Sequence, residues 1–289
     1  MSNDSALITA PASRSAGRFR IFRRSSARVG LALTIAFLLL TVLAPIVAPY
    51  DPYDQDLSSA LSPPSLDHWL GADQYGRDVL SRVLYGTRTA LLAVVVADGL
   101  ALVVGCALGL VAGFFGGAVE AVIMRLVDVL LAFPYLLLAL IIVAALGPGL
   151  TNSMIAIGIV YTPQYARLIR GQVLSIRQTD YVRAARALGS SQLRLMLRHV
   201  LPNSFPPILV MATLQAGSVV VETAGLSFLG LGAQPPSPDW GALLAEGQSY
   251  FLTAWWIATF PGLAIFLLVL GFNLLGDALR DHFDPRRSL

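Results

Sequence analysis

The residues able to do acid–base, nucleophilic or metal chemistry in this chain are few and scattered. His68, His199 and His282 are its only histidines and Cys106 its only cysteine. No Ser-His or His-Glu arrangement falls at a spacing that would join a nucleophile to its base, so an enzyme has no visible centre here. One cysteine builds neither a disulfide framework nor a cysteine-based zinc site, and no metal or cofactor is expected. All 20 basic residues are arginine, because the chain has no lysine. A phosphate-binding loop ends in Gly-Lys-Ser/Thr, whose lysine reaches the terminal phosphates, so this chain cannot supply one. What remains is a pair of acids in apolar surroundings, Asp98 and Glu222. An ionisable group at membrane depth is costly and marks a solute or ion path by default. For Asp98 two roles stand open, lining a wet path or accepting a hydrogen bond from a neighbouring helix.

The elements that position these acids follow from composition. Hydrophobic residues make up 56% of the 289 and charged residues only 13%, against about 25% charged in an average soluble domain. Mean hydropathy is +0.69. Twenty apolar residues span a hydrocarbon core of about 30 Å, and six such runs are present, near 29–47, 90–112, 121–146, 154–168, 207–225 and 254–275. The fourth is short and holds Pro163, so a start near Leu150 and a kink at the proline are expected. Gly105, Gly109 and Gly113 recur every four residues and permit close helix packing within the chain. Arg125 and Asp128 lie one turn apart and predict a local ion pair. Trp240, Trp255 and Trp256 are expected at the membrane interface.

Arginine placement orients the bundle, since cytoplasmic loops carry an excess of basic residues. Six arginines lie in 1–28, seven in 167–198, and Arg280, Arg286 and Arg287 at the end, against only Arg77, Arg82 and Arg88 on the opposite side. Both termini are expected inside. The expected organisation is a polar cytoplasmic tail over 1–28, a first membrane helix over 29–49, an external segment over 50–88, a five-helix core over 89–280 containing a cytoplasmic loop at 177–205, and a cytoplasmic tail over 281–289. The arginines flank apolar runs and form no aromatic-interleaved surface, which argues against nucleic acid.

The 177–205 loop is the most informative stretch. Thr179 or Asp180 can cap a short helix through Arg183, Ala184, Ala185 and Leu188, which Gly189 would end in the left-handed region. A second helix is expected from near Ser191, with Leu193, Met196, Leu197 and Val200 on an apolar face, leading to Leu201 and Pro202. This segment resembles the loop of binding-protein-dependent permeases of ATP-binding-cassette importers. Ala184, Ala185, Gly189, Leu201 and Pro202 match that pattern in type and spacing, while Arg183 replaces its glutamate and His199 an apolar residue. Gly71-Ala72-Asp73-Gln74-Tyr75-Gly76-Arg77-Asp78, Leu226-Ser227-Phe228-Leu229-Gly230, Asp239-Trp240-Gly241 and Phe272-Asn273-Leu274-Leu275-Gly276-Asp277 resemble the dipeptide, oligopeptide and nickel branch.

The resemblance implies an all-α polytopic protein of the bacterial inner membrane with six transmembrane helices and a type I (MetI-like) importer core. It implies a non-catalytic chain that partners a second permease subunit, two ATPase subunits and an external solute-binding protein, within a lipid bilayer. Its loop, from Asp180 to Pro202, would dock in a cleft of the ATPase and transmit closure to the spans. Peptides of a few residues are the first expected solute, with glutathione, nickel complexes or another small solute as alternatives. The rival is an ion-gradient-driven carrier using Asp98, for which an internal repeat would be usual and none is visible.

Overall fold

The computed structural model describes residues 25–283, without the side chains at 192 and 193. The basic residues at 14–24 and the Asp284-Pro285-Arg286 stretch lie outside that range. Within it the chain is helical, with no β-strand among the described residues. α1 (Ser25–Val47) is followed by a non-helical segment, 48–78, with one short 3-10 turn (Leu57–Ser59). α2 (Val79–Ala93) passes through a π turn (Val94–Asp98) into α3 (Gly99–Phe115). α4 (Gly117–Leu131), α5 (Tyr135–Leu146) and α6 (Leu150–Ile176) come next. α7 (Asp180–Ala187) and α8 (Gln192–Leu195) lead through a second π turn (Met196–Val200) into α9 (Leu201–Phe228). α10 (Trp240–Gln248) and α11 (Trp256–Phe283) complete the chain.

Four stretches are long and apolar enough to cross a membrane: Ser25–Val47, Val79–Phe115, Met196–Phe228 and Trp256–Phe283. α4 and α5 make a fifth if counted as one span broken by a 96° bend. The bend falls at Ala132–Pro134, where the proline has no N–H to continue the helix. α6 has the length, 27 residues, and begins at Leu150 as expected. It is less apolar because it carries Gln164, Arg167 and Arg170, and it is helical through Pro163. Protein rather than lipid covers most of it, so polar residues on it can find partners.

Contacts fix the directions of the helices. Gly30 of α1 lies against Leu274 of α11, and Gly271 of α11 against Leu33 of α1, so these two run antiparallel. The start of α1 and the end of α11 therefore share one end of the bundle. Gly105, Gly109 and Gly113 meet Tyr165, Ile169 and Val173 in order, so α3 and α6 run parallel. A Cβ at Gly109 would stand 2.9 Å from that of Ile169, and one at Gly113 2.8 Å from that of Val173. The small-residue stripe is thus spent on packing within the chain, as expected. α9 runs antiparallel to α6, through Tyr161 with Glu222 and Gln164 with Gln215.

Two expectations are corrected. Trp240 and Trp256 are not interface anchors: both are buried, and their indole N–H groups donate to the Val83 carbonyl at 2.9 Å and the Ala72 carbonyl at 3.0 Å. Of these three, Trp255 alone is exposed. Asp128 pairs with Arg167 of α6 at 2.6 Å rather than with Arg125, and Arg170 pairs with Glu120, so α4 is tied to α6 by two ion pairs. The 100° step between helical neighbours says nothing of what a third helix brings alongside.

Candidate functional site

The loop between α6 and α9 stands out from the bundle. Thr179 is the N-cap of α7, but its hydroxyl bonds back to the Ile176 carbonyl at 2.6 Å instead of capping forward. Gly189 has φ +82°, in the left-handed region that a Cβ disfavours. Its N–H donates to Arg186 and that of Ser190 to Ala185, closing the end of α7 as the spacing predicts. α7 buries one side chain, Val182, and presents Tyr181, Arg183, Ala184, Arg186 and Leu188 outward, with Leu188 88% exposed. Ala185 is half-buried, as is Leu201, while Asp180 and Pro202 are exposed.

The second helix of this loop is not a separate element. α8, the π turn and α9 form one continuous helical path from Gln192 to Phe228. The expected apolar face shifts as a result: Leu195 and Val200, five apart, are fully buried, whereas Leu197 is 51% exposed. A π turn holds more residues per turn than an α-helix and moves the buried stripe by one position. Leu195, Val200 and Val182 pack with Ile176, Val173 and Phe114, joining the loop to the ends of α3 and α6. The side chain of Leu193 lies outside the described residues.

At membrane depth the two expected acids sit in different settings, both built by α6. Tyr161 and Tyr165, one turn apart, donate 2.6 Å hydrogen bonds to Glu222 and Asp98 respectively. Gln215 Nε2 donates to Gln164 Oε1 at 2.9 Å between them. Asp98 is 6% exposed, enclosed between α6 and the π turn after α2. Glu222 is half-buried, and its Oε2 is enclosed without a hydrogen-bond partner. This polar seam from α9 to α6 was only half visible in the sequence, because the tyrosines and glutamines gave no sign of their partners.

The end of the bundle opposite the α6–α9 loop holds a buried ion network that spacing alone did not reveal. Asp73 accepts from Arg77 Nε at 2.6 Å, and Glu246 of α10 accepts from Arg77 at 2.8 Å and Arg82 at 3.4 Å. Arg77 and Arg82 are almost wholly buried. Asp78 caps α2 through the Ser81 N–H at 2.7 Å and meets His68 Nδ1 at 3.0 Å. These bonds seat the 48–78 segment on the bundle, beside an acidic recess of about 440 Å³ lined by Tyr50, Asp56, His68 and Asp78. Asp239, the N-cap of α10, accepts from the Gly241 and Ala242 N–H groups. Burial pushes its carboxyl up, opposed by those N–H groups.

A helical bundle of membrane-spanning length, with an exposed basic helix–turn–helix at one end and a folded cap at the other, defines an integral membrane transport component. The chain belongs to the family "binding-protein-dependent transport system inner membrane component", whose model matches residues 105–289. A second model, "N-terminal TM domain of oligopeptide transport permease C", matches residues 15–64. The chain is 46% identical over 254 residues to the probable D,D-dipeptide transport system permease protein DdpC of Escherichia coli (strain K12), covering 88% of this chain and 85% of that one. It is 43% identical over 270 residues to the glutathione transport system permease protein GsiD of Pectobacterium atrosepticum, covering 93% and 90%. In fold it is similar to a chain of the MetNI methionine ABC transporter in an inward-facing conformation, with TM-score 0.58 and 18% identity over 70% of this chain and 97% of that one. The chain is thus a permease component with an ABC importer fold, not the ATP-splitting member of such a system.

Proposed function

We propose that this chain is one of two permease subunits of an ATP-driven importer of di- or oligopeptides, and that residues 177–205 couple it to the ATPase. The observation that carries the coupling role is the α7 turn: an exposed face of Tyr181, Arg183, Arg186 and Leu188, ended by Gly189 and followed by α8, which runs on into α9. Such a face fits a cleft on a partner, because a large apolar side chain left 88% exposed beside arginines is the pattern of a docking surface. Arg183, where related loops are expected to carry glutamate, gives this contact a positive charge. An external solute-binding protein would deliver solute at the 50–78 and 229–255 end, with both chain termini at the cytoplasmic end. The path would run beside Glu222, with Asp98 deeper in the bundle.

Peptide is preferred because the DdpC relative is named a D,D-dipeptide permease. Glutathione is the second reading, on the strength of the GsiD relative, and it is itself a peptide. The test is ATP-dependent uptake of labelled dialanine and of glutathione by proteoliposomes holding the chain with its partner subunits, wild type against Gly189→Pro. Proline cannot adopt φ +82°. Uptake lost from an assembled complex is the expected result; uptake without any ATPase subunit would replace the proposal with a gradient-driven carrier.

A further inference from the structure

Among the acids at membrane depth Glu222 has unspent bonding capacity. Asp128 and Glu120 carry arginine partners, and Asp98 is sealed against Tyr165. Glu222 has no ion pair among the described residues; Oε1 takes the Tyr161 hydrogen bond and Oε2 has none. An ionised carboxylate can accept at both oxygens, and in a low-dielectric setting an unmatched one is expensive.

Oε2 itself is enclosed and Tyr161 is buried, but the stripe they belong to reaches the surface at Ser218. Gln215, Ser218 and Glu222 fall at spacings of three and four, on one face of α9. Ser218 is exposed, its hydroxyl lies beside the Tyr161 phenol, and Tyr135 of α5, also exposed, stacks on Tyr161 with centroids 6.0 Å apart. The stripe therefore runs from a glutamine pair between α6 and α9 to an uncovered edge on the surface of this chain.

We infer that Glu222, with the Ser218 and Tyr161 hydroxyls, is a subsite for a cationic group of the solute, namely the α-ammonium of a peptide. The inference rests on the proposed peptide-permease role. An ammonium offers three N–H donors; the exposed Ser218 hydroxyl accepts one at the surface, and the half-buried Glu222 carboxylate behind it supplies the negative charge. A single carboxylate with no further ligand set is a poor metal site, and an anionic solute would meet only repulsion. Charge-assisted hydrogen bonds here would select for solutes with a free amino terminus after the external binding protein has released them.

The experiment uses the whole complex in proteoliposomes. Cys106 is buried and is the only cysteine, so Cys106→Ser gives a thiol-free background for Ser218→Cys. The new thiol is treated with a cationic and an anionic methanethiosulfonate reagent. The same thiolate attacks the sulfur of both and displaces methanesulfinate, so the ratio of the two rates cancels the thiol's own reactivity and reports the local field. The cationic reagent is expected to react faster by about tenfold or more, the ratio to fall towards one in Glu222→Gln, and Glu222→Asp to keep it. Labelling by neither reagent, or a ratio unmoved by Glu222→Gln, overturns the subsite. Dialanine uptake by vesicles holding the complex with Ser218 intact separates the two proposals: ATP-driven uptake with a flat ratio removes the subsite alone, whereas absent uptake removes the peptide assignment and with it the peptide α-ammonium as the ligand, whatever the ratio.

Discussion

Arg77 and Arg82 carry buried charge that a single acid on a distant helix helps to balance. Glu246 lies 169 and 164 residues away from them in the chain. Glu246→Ala leaves two buried guanidinium groups with Asp73 alone, and removing one member of a buried pair costs about 3–5 kcal/mol. The reconstituted complex should therefore lose much of its thermal stability in detergent, whereas Glu120→Ala, at the more exposed pair with Arg170, should lose little. A contrast within the glycines follows the same logic. Gly109→Val would press into Ile169 and the backbone at Ala166, an overpacking worth about 1–3 kcal/mol, while Gly171→Ala meets nothing within 4 Å. A fall in melting temperature for the first and none for the second is expected. The glycine stripe was legible because four-residue spacing of small residues has one structural meaning. The ion network was not, since no local pattern joins Arg77 to Glu246.

A periodic reading of the loop puts Leu197 on the apolar face and leaves Leu195 off it, yet the π turn buries Leu195 and exposes Leu197. Leu195→Ser should disrupt the contact of the loop with Phe114, Val173 and Ile176 and lower the yield of assembled complex by several-fold, consistent with a core leucine's about 2–5 kcal/mol on truncation. Leu197→Ser should leave assembly intact, and size-exclusion chromatography of the two variants decides between them. The 3.6-residue period is a good guide only while the helix keeps it, and nothing in Met196–Val200 announces that it does not. The 121–146 run, read as one span, is instead bent by 96° between α4 and α5, next to Pro134, which the periodic reading passed over.

On the scale of the molecule, the antiparallel contact of α1 with α11 puts residues 25 and 283 at the same end, opposite the 50–78 and 229–255 segments. Cysteines introduced at Ser62 and Gln234 in the Cys106→Ser background should react with an impermeant reagent added outside intact cells, and one at Ser288 only after lysis. Labelling of all three from outside would contradict the orientation. Apolar run length made most of this helical architecture readable from the sequence. Less readable was the interior, because the partners of Tyr161, Tyr165 and Gln215 lie on helices that approach only in the folded bundle.

α9 holds Gln215, Ser218 and Glu222 within about 10 Å of one helix, given a rise of about 1.5 Å per residue. Prolines 206 and 207, which lack amide hydrogens, lie before this length and follow the π turn. Bending is therefore easiest between the docking loop and the stripe, and the stripe itself travels as a unit. A shift of α9 that changes the surroundings of Glu222 must also pull on the Gln164–Gln215 pair. If solute is held at that carboxylate, the cargo and the latch share one moving part, and a load can be sensed at the moment the latch is drawn.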